Sequence, residues 1–285
     1  MMMKTRKIKE VIKSKPTLEG AGVHLNRVFG NNEAPQLDPF LLLDDFRSGN
    51  PGHYLKGFPW HPHRGIETIT YMLGGSVEHG DSMGNQGIIG VGDVQWMTAG
   101  SGIIHQEMPK GDKAGYMGGF QLWANLPASH KMMNPRYRDV KSNQIPEVSP
   151  AQGVKIKIIC GEVGGTKGPV HDIVTEPEYL DVTLAADAVF THPVKLGSTV
   201  LAYIIDGRGY FDEEGDLLNN GELAWYHAGG KITVSATDKP VRFLLMSGKP
   251  IGEPVAWYGP IVMNTQEELQ LAFEEYNNGT FIKHK

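Results

Sequence analysis

Two short segments carry side chains able to hold a metal ion: His61-Pro62-His63 and His105-Gln106-Glu107. In an extended strand side chains alternate between faces, so residues at i and i+2 point the same way. His61 and His63 therefore share a face, as do His105 and Glu107. Pro62 reinforces this, because the residue before a proline is pushed toward the extended region. If the two strands lie across a small barrel from each other, three imidazoles and a carboxylate converge. That set leaves positions open on a mid-first-row ion for oxygen or substrate. A single His-x-His is a weak signal, since most histidines are surface or hydrogen-bonded residues; two such pairs in one strand-rich stretch form a strong one. Glu67 shares the parity of His61 and His63 and competes with Glu107 for the carboxylate position.

The elements around these segments read as strands. Ile66–Leu73 alternates well. Val77–Val91 contains a hairpin turning at Asp81–Asn85, with His79 beside the turn and expected to be exposed. Tyr116–Leu126 is an apolar and aromatic strand in which Gln121 is a candidate polar wall of a pocket. Leu37–Phe46 ends at Asp44-Asp45, read as a solvated strand end. Thr5–Val28 reads as a hairpin flanking the first domain, and Lys131–Arg138 as a solvated basic face. With 36 Gly and 18 Pro, the chain suits many short strands joined by turns better than long helices. Met263–Phe273 has helical spacing, with Thr265 and Glu268 forming a capping box and Asn277-Asn278-Gly279 ending the helix.

The second half repeats the first. Gly92-Asp93-Val94-Gln95-Trp96 matches Gly221-Glu222-Leu223-Ala224-Trp225, and His61-Pro62-His63 aligns with His192-Pro193-Val194. The position matching His105 is Val234. This is a duplicated strand-rich domain with one live site and one dead one. The expected division is residues 1–130 for an N-terminal domain with the metal site, 131–150 for a connection, and 151–285 for a C-terminal domain without a metal, ending in a helix at about 265–277.

Bulk properties limit the function. The net charge of −5 argues against charge-driven binding to nucleic acid, which needs a basic face. Cys160 is the only cysteine, so no intrachain disulfide forms; its alternating apolar surroundings predict a buried structural thiol. No apolar run approaches the roughly 18 residues of a membrane span. Met1–Pro16 is basic without an apolar core, unlike a secretory signal. A cytoplasmic protein is expected, or a nuclear one in a eukaryote.

Tight alternation, Gly-bounded hairpins and a two-segment His/His…His/Glu site resemble the cupin superfamily. More narrowly, the chain is similar to the pirin family. The resemblance rests on Asp38-Pro39-Phe40, on the run from Phe58-Pro59-Trp60-His61-Pro62-His63 to Thr68, on the run from Gln95-Trp96-Met97 through His105-Gln106-Glu107-Met108-Pro109, and on Gly259-Pro260 through Asn264-Thr265. It implies an all-β bicupin of two stacked antiparallel jelly-roll barrels with a short C-terminal helix. One mononuclear Fe(II) is implied, held by His61, His63, His105 and Glu107, with other divalent transition metals able to replace it. Thr98 stands where a cupin proline is usual, and Glu67 occupies the usual cupin carboxylate position. In pirins the carboxylate ligand lies two residues after the last histidine, which is Glu107 here. The implied activity is quercetin 2,3-dioxygenase, acting on a flavonol and O2 with Glu107 or Glu67 as general base. The alternative is a metal- or redox-dependent regulator whose partner is a transcription factor or a metabolic enzyme.

Overall fold

A computed structural model describes residues 4–284; residues 1–3 of the basic N-terminal stretch and Lys285 lie outside it. In chain order the first half forms β1 (Ile8–Lys13), β2 (Lys15–Glu19), β3 (Val23–Phe29), β4 (Phe40–Asp45), β5 (Phe58–His63) and β6 (Ile66–Gly74). It continues with β7 (Ser76–Asp81), β8 (Gln86–Ile89), β9 (Val94–Thr98), β10 (Ile103–Lys110), β11 (Gly118–Asn125) and β12 (Arg136–Val140).

The chain divides into two compact units, and each draws on a distant part of the sequence. One comprises Lys15–Ser142 and the segment from Ile251 onward; the other comprises the segment up to Ser14 and Asn143–Pro250. This differs from the linear division expected above at both ends. β1 pairs with Glu222–Tyr226 (Val11 opposite Ala224), whereas β2 pairs with β3. The expected hairpin over Thr5–Val28 is therefore present only as β2 and β3, turning at Glu19–Gly22, while β1 belongs to the other unit. The C-terminal helix belongs to the unit that carries the histidines. The expected connection contains a strand, since β12 pairs with β9 from Arg136 opposite Thr98 to Val140 opposite Val94.

The histidine-bearing unit has two large antiparallel sheets, in the orders β12-β9-β6-β11-β4-β3-β2 and β5-β10-β7-β8, and a two-stranded one formed by Ala256–Tyr258 and Ile261–Met263. Val23, Leu25 and Met72 of the larger sheet pack with Val77 and Ile89 of the smaller one. In a second cluster Ile66, Met97, Ile103 and Trp123 pack with Val262 from the C-terminal segment. Each such aliphatic side chain stabilises the fold by about 1.5–3 kcal/mol when buried. β5 is an edge strand of the smaller sheet. It tolerates Pro59 and Pro62 because an edge has ladder positions that need no N–H.

The helix Gln266–Asn277 has the expected capping box, Thr265 accepting from the Glu268 N–H and Glu268 reaching back to the Thr265 N–H. Its Leu269 and Ala272 are buried with Ile261, Met263 and Phe281. In the other unit, Glu222–Tyr226, Thr199–Tyr210, Lys231–Gly248, Glu178–Leu184 and Val154–Cys160 lie side by side in one antiparallel sheet. Its core is built from residues such as Ile156, Leu180, Val182, Ala202 and Phe243. Cys160 is buried there, as expected. Among the described residues no helix is long and apolar enough to cross a membrane.

Candidate metal centre

β5 and β10 are hydrogen-bonded neighbours, with His61 opposite His105 and His63 opposite Ile103. Along β10 the inward positions alternate as the pattern requires: Ile103, His105, Glu107 and Pro109 are buried, and Ile104, Gln106 and Met108 are less so. The three imidazoles converge through their Nε2 atoms. His61 Nε2 lies 3.0 Å from His63 Nε2 and 3.0 Å from His105 Nε2. Among the described residues these three histidines form the one cluster of candidate ligands.

The tautomers explain what the cluster is for. His61 Nδ1 is 2.8 Å from the Pro59 carbonyl oxygen, and His63 Nδ1 is 3.1 Å from that of Pro260. A carbonyl oxygen only accepts, so in both rings Nδ1 carries the proton and Nε2 presents a lone pair. With both rings neutral, the 3.0 Å contact between His61 and His63 sets lone pair against lone pair, which a metal ion between them would relieve. Burial holds the His63 imidazole well below the ordinary histidine range, with His61 adding to the effect. Burial does the same to His105, with His63, His61 and His79 contributing. Neutral imidazoles are what a metal ion requires. The spacing also fits, because two donors at about 2.1 Å from one ion and at right angles lie about 3.0 Å apart.

Glu107 stands beside the triad, its Oε2 4.0 Å from His105 Nε2. Two atoms sharing an ion at about 2.1 Å can be at most about 4.2 Å apart, so Glu107 meets this limit toward His105 but lies outside the cluster whose ligand atoms are all within 4.8 Å of one another, and it must shift toward the triad to join an ion held there. Gln121 Nε2 donates to both Glu107 oxygens at 3.3 Å, and Thr70 Oγ1 donates to Oε1 at 3.3 Å. Gln121 is thus the polar wall expected of it. Its Oε1 accepts from Trp123 Nε1 at 3.1 Å, which sets the amide orientation. Thr70, Gln121, Asp44 and Arg27 stand opposite one another across β6, β11, β4 and β3, forming a polar row beneath the site. Asp44 is not a solvated strand end; its carboxylate is buried and takes a two-point bond from Arg27, at 2.9 and 2.8 Å. Thr70 and Arg27 were not singled out in the sequence, where nothing but strand register relates them to the histidines.

A cleft of about 510 Å³ opens over His61, His63 and Glu107. Trp60, Trp123 and Trp257 line it. Trp123 and Trp257 lie 6.0 Å apart at 39°, and Trp123 meets the His63 ring edge-on at 5.1 Å. Trp257 and Pro260 arrive from the C-terminal segment, a contribution that local sequence spacing does not reveal.

Glu67 is not brought to the triad. The parity that linked it to His61 and His63 fails because the strand breaks at Arg64-Gly65, with Gly65 at φ +78°. Within β6, Thr70 faces Glu107, so Glu67 lies on the opposite face, where Thr98 Oγ1 donates to its Oε1 at 2.6 Å. Burial raises the Glu67 carboxyl above its ordinary value of 4.5, against the pull of Thr98 and of the Arg136 and Arg138 charges. A raised acid keeps its proton longer in the folded than in the unfolded chain, so stability falls as pH rises from that value toward the folded pKa. Glu67→Gln removes this fall. In urea titrations from pH 4 to 7 the stability gap should move in the variant's favour as pH rises, with metal affinity unchanged within about twofold. A loss of metal binding in this variant would return Glu67 to the ligand set.

Two further expectations are corrected. His79 is buried, not exposed; its Nε2 contacts Gln95 Nε2 at 2.9 Å, and its ring stacks near Tyr137. Gly87 makes room for it, since a Cβ there would sit 2.8 Å from His79 Nε2. Lys131 is buried as well, so Lys131–Arg138 is not a uniformly solvated face. In the duplicated unit His192 is kept, but its Nε2 meets Glu178 Oε1 at 2.9 Å instead of another imidazole.

The fold and the site together define a bicupin with a single three-histidine candidate metal centre. Family profiles agree: the sequence matches Pirin over residues 22–124 and the Pirin C-terminal cupin domain over residues 179–282. The chain belongs to the pirin family. It is 43% identical to a pirin-like protein of Caulobacter vibrioides, covering 98% of this chain and all of that one. It is 40% identical to pirin of Homo sapiens, covering 97% and 94%. Among solved structures it is similar to a quercetin 2,3-dioxygenase from Acinetobacter baumannii, with a TM-score of 0.90, 31% identity, and coverage of 98% and 99%.

Proposed function

We propose that this chain is a metal-dependent dioxygenase of the pirin type that opens the ring of flavonols such as quercetin with O2, using one Fe(II) held by His61, His63, His105 and Glu107. The observation that carries this reading is the convergence of three imidazole Nε2 atoms at the foot of an aromatic cleft. The relative from Acinetobacter baumannii, similar over nearly its whole length, supports the substrate class. The affinity order of the divalent metals does not by itself choose iron, and the same ligands accept Mn, Co, Ni, Cu or Zn.

When bound, the ion supplies a Lewis acid that lowers the pKa of a hydroxyl placed against it. The chain's own groups do the rest. Trp123 and Trp257 stack the flavonol and keep water from it. Glu107, steadied by Gln121 and Thr70, takes the flavonol hydroxyl proton as general base. The electron-rich ring then reacts with O2 and opens with loss of carbon monoxide.

The test is to load the protein with Fe(II) under anaerobic conditions, add quercetin and O2, and follow flavonol absorbance and carbon monoxide. Turnover that disappears in His63→Ala is the expected result. Full iron occupancy without turnover on a panel of flavonols contradicts the assignment.

A further inference from the structure

Lys131 is 1% exposed and faces no carboxylate within bonding distance. Its Nζ donates instead to three neutral oxygens: Gly65 O at 2.9 Å, Asn125 Oδ1 at 2.7 Å and Val262 O at 3.0 Å. Three acceptors match the three N–H bonds of an ammonium group. Burying a charge this way is costly unless the acceptors need it. Here they do. A Cβ on Gly65 would lie 2.0 Å from the Val262 carbonyl oxygen, so the two backbones are pressed together at this point. Burial lowers the Lys131 pKa to about 7, but the Gly65 and Val262 carbonyls aim at one spot and the N–H bonds of Nζ between them satisfy both.

The junction has a consequence for the candidate metal centre. Gly65 lies two residues after His63. Val262 lies two residues after Pro260, whose carbonyl receives the His63 Nδ1 proton. Between them, the Val262 N–H donates to Arg64 O at 3.1 Å. Arg64 anchors the same C-terminal segment, pairing with Glu275 at 2.8 Å and donating to Phe281 O at 2.9 Å. The hairpin Ala256–Tyr258/Ile261–Met263 therefore sits against the ligand strand, and the Lys131 amine grips both backbones. We propose that Lys131 is a positioning residue: by tying Val262 to Gly65 it sets the register that puts the Pro260 carbonyl on His63 Nδ1 and Trp257 over the cleft.

The first readout needs no metal and so stands apart from the proposed function. Long-range nitrogen–proton NMR of the metal-free full chain reports the tautomer of each histidine. Wild type should show His61 and His63 protonated on Nδ1. In Lys131→Met, His63 should lose this preference while His61 keeps it, because the His61 acceptor, Pro59, lies in its own strand. Asn125→Ala, which leaves the lysine in place with one acceptor fewer, should shift His63 in the same direction by less, and it remains informative if Lys131→Met does not fold. The second readout, which rests on the metal reading, is Co(II) titration: Lys131→Met should bind about 10–100-fold more weakly, as expected when the support of a ligand is lost. A His63 tautomer unchanged in a folded variant overturns the proposal. Absence of cobalt binding in wild type sinks the metal reading alone.

Discussion

His105→Ala should weaken the binding of a divalent ion by about two orders of magnitude while the protein stays folded. Protein sites built from four ligands hold zinc with roughly 10–16 kcal/mol, or about 3 kcal/mol for each donor, and 1.4 kcal/mol is tenfold. His105 is the cleanest of the three to remove. Its Nδ1 is buried without a hydrogen-bond partner, so alanine leaves no acceptor stranded. His63→Ala, by contrast, leaves the Pro260 carbonyl without its donor. The metal-free fold then loses only the packing of one buried ring. In wild type, metal at a thousand times Kd should stabilise the fold by about 4 kcal/mol, and this gain should fall to about 1.4 kcal/mol in the variant at the same concentration. Calorimetric titration with Co(II) and melting with and without metal read both effects. An affinity within threefold of wild type contradicts the assignment of His105 as a ligand.

Gly65→Ala should be among the most damaging single-methyl changes in the histidine-bearing unit. At φ +78° an L side chain is strained by about 1–2 kcal/mol. Its Cβ would also meet the Val262 carbonyl oxygen at 2.0 Å and its carbon at 3.2 Å, both backbone atoms with no rotamer to escape through. Together these should cost more than about 4 kcal/mol, which lowers Tm by roughly 10 °C in a unit of this size. Gly84 separates the two effects. It has φ +86° but no atom within 4 Å of an added Cβ, so Gly84→Ala bears only the conformational term. Thermal melts followed by circular dichroism should show Gly65→Ala falling several times further than Gly84→Ala. Equal shifts contradict the packing of the C-terminal hairpin against the ligand strand.

The histidines were legible because strand alternation is local: two residues separated by one must share a face wherever the strand goes. Glu107 was legible for the same reason, being two residues from His105 in one unbroken strand. Glu67 misled because counting parity from His63 assumes continuity, and a positive-φ glycine between them reset the faces. His79 and Asp44 misled because polar residues near turns or strand ends are usually solvated; here Gln95 and Arg27 compensate their burial. What local reading could not supply came from far along the chain. The Pro260 carbonyl, Trp257 and the Glu275 anchor lie about two hundred residues after His63, and no spacing rule relates them. Lys131 hid for a related reason, since its acceptors are two backbone carbonyls and an amide, which leave no charge pattern. The return of both chain ends was likewise invisible, because β1 and β2 are adjacent in sequence and only their partners separate them.

The most direct measurement is anomalous diffraction at the absorption edge of the bound metal, from crystals of the protein loaded with that metal. A single peak should lie about 2.1 Å from Nε2 of His61, His63 and His105, with the Glu107 carboxylate against it. A map without a peak between these imidazoles, or with its strongest peak bound by other residues, would contradict the assignment of this cluster as a metal centre.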